Sequence, residues 1–201
     1  MKSLIISLLL TASMLASVED CGAQSLSAVH LNDEGVNALK RISRPHGYAE
    51  NATDNDWQSI FDKFESALKL DPSFAVARKN LAVAHNNFAL FLASSKQNPT
   101  ESLKQFHESL FIEPDPSTES CMETVIRGYF KLDPKCFNDR VVLGDRARTD
   151  NDVAGAIVEY RAALELKEDP EVRKKLKDVY GLIGDKEKAI QESKPEKTNE
   201  K

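Results

Sequence analysis

WQSIFDKFESALKLDPS, Trp57 to Ser73, and ESLKQFHESLFIEPDP, Glu101 to Pro116, follow one pattern. Laid over each other, they match Phe64 with Phe106, Leu68 with Leu110 and Pro72 with Pro114, at a constant offset of 42 residues. A fixed offset kept at apolar and proline positions marks stacked structural repeats. In the first stretch Trp57, Ile60, Phe61, Phe64, Ala67 and Leu68 fall on one stripe, with the spacings of three and four that a helix requires. Asp71-Pro72 stops that helix, and Pro114 and Pro116 stop its counterpart, since proline cannot donate within a helix.

Upstream, Ser43 to Asp56 carries Pro, Gly, Asn and Asp without helical period and reads as a loop, with Asp54 or Asp56 as cap of the next helix. Before it, Leu31 to Ile42 reads as a helix with Asn32 or Asp33 at its N-terminal cap. Downstream, Ser73 to Ala93 is apolar over more than one face, as an inner helix touched on two sides would be. Ser94 to Thr100 turns the chain, and Ser117 to Lys131 gives one further helix before a second KLDP at Lys131 to Pro134. The C-terminal half keeps a period of 33: Leu143 with Leu176, Ala156-Ile157 with Ala189-Ile190, Asn151-Asp152 with Gly184-Asp185. Its helices are expected over Asn138–Arg148, Val153–Leu166, Glu171–Leu182 and Lys186–Ser193.

This divides the chain into a targeting segment (1–23), N-terminal repeats (24–116) with an insertion at 43–56, a half repeat or connector (117–136), C-terminal repeats (137–193) and a polar tail (194–201). Lys2 and the uncharged, mostly apolar run Ser3 to Val18 suit a secretory signal, cleaved after Ala23 or alternatively after Ser17. That run is shorter than the roughly 20 residues a spanning helix needs, so no stable span is expected after its removal. An uncleaved anchor is the alternative. The expected location is therefore exported, periplasmic or secreted. In an oxidising compartment Cys121 and Cys136 can form a disulfide, the alternative being two free thiols.

The net charge of −5 gives no basic face for nucleic acid. The four histidines, His30, His46, His85 and His107, share no metal-site spacing, and the chain lacks a nucleophile elbow, a phosphate loop and H-E-x-x-H. Acid pairs such as Asp145 with Asp152, or Glu165 with Glu168, read as exposed helix charges. No enzyme, metal or cofactor is expected.

The period of 33, the Leu143-Gly144 of VVLGD, the Ala-Ile-x-x-Tyr of GAIVEY, the alanine of RAAL and the Asp-Pro endings resemble tetratricopeptide repeats over about residues 26–193. LNDEGVNAL, FESALKLDPSFAVARKNLAVAHNN and GDRARTDNDVAGAIVEYRAALELK are similar to exported bacterial members. The resemblance implies an all-α, right-handed helical-hairpin solenoid of three to four pairs plus a half repeat. Small residues (Gly144, Ala82, Ala156, Ala163) would sit where helices cross, and Phe64, Phe106 or Tyr160 would fill the space beside them. It also implies a scaffold or adaptor that holds a partner's peptide or helix in a concave groove lined by the first helix of each pair, without cofactor. The groove positions are Asn32, Lys79, Asn86, Asn87, Asp145, Arg148, Lys174 and Asp178, with Asn86-Asn87 foremost because side-chain amides both donate and accept. The family's carboxylate clamp is incomplete, since Val83 stands where its first Asn belongs. Solvated helix surface is the competing reading of these eight residues, and a structural subunit of a cell-envelope complex the competing function. Trp57 and Tyr48 flank the insertion, with Trp57 expected as core.

Overall fold

The computed structural model describes residues 26–44, 47–48 and 52–184. The targeting segment, the helix expected at Lys186–Ser193 and the polar tail lie outside the described residues. Contacts divide the chain into two compact units, one ending at Ala84 and one beginning at His85.

In the N-terminal unit a helix, α1, runs over 26–42. Asn32 and Asp33, expected at its start, lie inside it. Asn32 is buried, and its Oδ1 accepts from Asn80 Nδ2 at 2.8 Å. A buried amide satisfied by another amide is packing, so Asn32 faces a neighbouring helix rather than solvent. The loop that follows holds a minimal antiparallel pair, Ser43–Arg44 (β1) with Gly47–Tyr48 (β2). The next helix, α2, spans Asp54–Leu70 and is capped by Thr53 rather than by an aspartate of its first turn. Thr53 Oγ1 accepts from the Asp56 amide, and Asp56 Oδ2 accepts from the Thr53 amide at 2.8 Å, which satisfies two orphan donors reciprocally.

Helix α2 buries Trp57, Ile60, Phe61, Phe64 and Ala67, the stripe read from the sequence, and Trp57 is core as expected. It crosses α1 at Gly35, where a Cβ would stand 2.7 Å from the Phe64 ring. Helix α3, Ala75–Ser94, follows the Asp71-Pro72 stop, and the boundary between the units falls within it.

The C-terminal unit contains α4 (Pro99–Ile112), α5 (Pro116–Val125), α6 (Phe137–Thr149), α7 (Val153–Leu166) and α8 (Pro170–Leu182). Three of these helices open on one local signal. Asn98-Pro99, Asp115-Pro116 and Asp169-Pro170 each place a capping side chain before a proline in the first turn, where a missing N–H costs nothing. Pro116 therefore starts α5 instead of stopping α4, which already ends at Ile112. The expected single helix Ser117–Lys131 divides into α5 and one π turn, Ile126–Phe130, closed by left-handed Lys131 at φ 59°.

Neighbouring helices pack together: α4 with α5, α4 with α7, α6 with α7, and α7 with α8. The fold is all-helical apart from the two short strands, as the repeats require. One core cluster gathers Leu103, Phe106, Met122, Ile126 and Leu143, and a second gathers Ile157, Tyr160, Val172, Leu176 and Val179. Helices α6 and α7 cross where the sequence places a small residue against an aromatic one. A Cβ on Gly144 would stand 2.6 Å from the Tyr160 ring. That ring is fully buried, and its hydroxyl donates to Asp145 Oδ1 at 2.6 Å, so it has little room to move aside. Gly144→Ala is accordingly expected to destabilise the protein by about 1–3 kcal/mol through overpacking. Urea unfolding measures this, and an unchanged midpoint would mean that the two helices separate freely.

Candidate functional site

The eight groove positions do not share one environment. Asn32 is buried and bonded, as described above. Asp145 is half-buried and tied by Lys175 Nζ at 2.7 Å and by the Tyr160 hydroxyl, so it joins α6, α7 and α8. Lys175 and Tyr160 outweigh burial and hold its carboxyl below the usual range, whereas burial and the Asp145 carboxylate push the Tyr160 phenol up. Lys79, Arg148, Lys174 and Asp178 are exposed, Lys79 on the N-terminal unit and the other three on α6 and α8. Asn86 and Asn87 are half-buried on α3, and Asn86 Oδ1 is enclosed without a hydrogen-bond partner. Beside them His85 donates from Nδ1 to Gln105 Oε1, 2.8 Å away, and burial pushes its pKa down, so it is neutral.

The most ordered polar assembly of the C-terminal unit lies elsewhere, in its interior. His107 of α4 is 2% exposed and stands between two carboxylates. Its Nδ1 is 2.8 Å from Asp152 Oδ2 and its Nε2 is 3.0 Å from Glu159 Oε1. A carboxylate at each ring nitrogen leaves both to donate, so His107 is an imidazolium. Burial opposes that charge, but the two hydrogen bonds prevail and raise its pKa to about 9.

Glu159 is fully buried and passes the chain of charge onward. Its second oxygen accepts from Arg140 Nη1 at 2.8 Å. Arg140, 1% exposed, also donates from Nε to the Pro134 carbonyl at 2.8 Å and from Nη2 to Glu123 at 3.3 Å. Glu123 is met from outside by Lys135 at 2.7 Å and Arg127 at 3.1 Å, which outweigh burial and lower its pKa. One line of alternating charge therefore runs through α4, α7, α6 and α5.

Local structure fixes each member. Asp152 caps α7, its Oδ1 accepting from the Gly155 amide at 2.8 Å while Oδ2 faces His107. Gly155 is required there, because a Cβ would stand 2.3 Å from both His107 Nδ1 and Asp152 Oδ2. Asp145 and Asp152, read from the sequence as exposed charges, thus both hold helices together: the Asp152 side chain is 6% exposed.

This assembly is structural chemistry. Both N–H protons of the imidazolium are committed, so it has no free nitrogen to act as a base. Among the described residues no group of three or more His, Cys, Asp or Glu is arranged to hold a metal ion. Cys121 on α5 and Cys136 at the start of α6 are half-buried free thiols, so the expected bridge is not formed. Among the described residues no helix is long and apolar enough to cross a membrane.

No family model matches the chain, and no curated protein matches it. Among solved structures, a thermophilic TPR protein of Thermus thermophilus is similar, at 16% identity over 82% of this chain and 87% of that one, with a TM-score of 0.30.

Proposed function

We propose that this chain is an exported, non-enzymatic protein-binding scaffold that takes a partner's peptide or helix along the first-helix positions of its C-terminal unit. One observation carries the location. Asn86 Oδ1 is enclosed on α3 and has no hydrogen-bond partner among the described residues. An enclosed carbonyl left unbonded costs about 1–3 kcal/mol, and a turn of this half-buried side chain toward the surface would let a partner's backbone N–H satisfy it. Asn87 beside it has donors and an acceptor to offer the same backbone. Lys174 and Asp178, exposed and one turn apart on α8, add charges that select among peptides. Export is supported by Lys2 and the apolar run Ser3 to Val18 in the sequence.

Cross-linked affinity capture with residues 24–201, from the envelope fraction of the native cell, tests this reading. The expected result is one or two stoichiometric partners, whose capture falls at least tenfold in the Asn86→Ala/Asn87→Ala double variant while its helical circular dichroism is unchanged. Equal capture by the double variant would move the site off α3. A partner that co-purifies permanently and stabilises the chain would favour an assembly subunit instead.

A further inference from the structure

The C-terminal unit has a concave feature remote in sequence from Asn86-Asn87. It is a cavity of about 100 Å³ between α4, α5, α6 and α7. Leu110, Met122, Val158 and Ala162 give it apolar walls, and Arg140, Arg161, Glu119 and Glu165 give it charge. A water molecule occupies about 30 Å³ in the liquid, and a methyl group is of similar size, so the space matches a branched side chain of three to four carbons.

The charged groups fall into two classes. Arg140 is immobile, held by Pro134, Glu159 and Glu123, and reaches Glu119 only at 3.5 Å. It supplies a fixed positive wall. Arg161 and Glu165 are exposed, one helical turn apart on α7, and neither has an ion-pair or hydrogen-bond partner among the described residues. The apolar recess thus opens beside one uncommitted cation and one uncommitted anion. That pattern complements a small molecule carrying a carboxylate, an ammonium and a short apolar tail on one carbon.

We propose that this cavity binds a free aliphatic α-amino acid, with its branched side chain against Met122 and Val158, its carboxylate on Arg161 and its ammonium on Glu165. This site is independent of the peptide-binding reading of α3.

L-leucine is the probe, and the Met122 methyl resonance of the full mature chain is the readout. For a ligand of this size a Kd of about 1 mM is expected. Arg161→Ala, on the surface and outside the core, should weaken leucine at least tenfold with an unchanged amide spectrum. 4-Methylpentanoate, which lacks the ammonium, should bind the native protein at least fivefold more weakly than leucine. Glu165→Gln should abolish that preference. Ala162→Phe should fill the recess and remove binding, while Asn86→Ala/Asn87→Ala should leave it intact. Absence of a saturable shift at about 20 mM leucine, or equal binding by Arg161→Ala, would overturn the assignment.

Discussion

Arg140→Ala is expected to destabilise the protein by about 3–5 kcal/mol, the range found when one partner of a buried ion pair is removed. The guanidinium serves three acceptors at once, the Pro134 carbonyl, Glu159 and Glu123. Deleting it strands a fully buried Glu159 carboxylate with a single remaining donor, His107. Glu123 is affected less, because Lys135 and Arg127 still reach it. Against a typical domain stability of about 5–15 kcal/mol the loss is large, and urea unfolding would register it as a lowered midpoint. Arg140→Lys should recover little. An ammonium keeps the charge but cannot reproduce a planar fork that spans three acceptors. A double-mutant cycle makes the assignment specific: once Arg140 is gone, Glu159→Gln should cost less than it does alone, since it removes the stranded charge. Additive losses would show that the two side chains act separately.

The sequence revealed helices better than it revealed this network, for a physical reason. Apolar periodicity marks the face that leaves water, and it places α2 through the stripe from Trp57 to Ala67 and the α6–α7 crossing through Gly144 and Tyr160. It treats every charged residue as outward-facing. Yet the signal for burial was there. His107 lies four residues after Leu103 and three before Leu110, on the buried stripe of α4. Arg140 lies three before Leu143, and Glu159 three after Ala156 and four before Ala163. Charged residues of opposite sign at core positions of different helices are candidates for pairing, whereas exposed charges avoid those positions. Pairing itself could not be read, because the five members are spread over four helices and only the packed fold brings them together. The groove suffers the reverse problem. Helical phase places Asn32 and Asp145 on the first helices, but it does not distinguish a side chain open to a partner from one held by Asn80 or Lys175.

The second large effect is alkaline loss of stability through His107. Its pKa is about 9 in the folded chain, against an ordinary value of 6.5. A raised value means that the folded state holds the proton more tightly than the unfolded state. The stabilisation is therefore complete below about pH 6.5, declines as pH rises and is gone above about pH 9. Its full size is on the order of 3 kcal/mol. The charges that face the ring favour its protonated form. Asp152 and Glu159 of α7 are the two acceptors, Arg140 of α6 lies behind Glu159, and Glu123 of α5 lies behind Arg140. Deprotonation leaves one ring nitrogen with a lone pair directed at a carboxylate, so an attraction becomes a repulsion at the contact between α4 and α7. Urea midpoints measured between pH 6.5 and 9.5 should fall more steeply for the native protein than for His107→Gln, which cannot titrate. Gly155→Ala should also lose the difference, since a Cβ there intrudes on the Nδ1 contact. Direct observation of the ring by 15N resonance at pH 7.5 should find both nitrogens protonated. A ring that titrates near 6.5 would mean that His107 is reached by water and that α4 is not held to α7 through it.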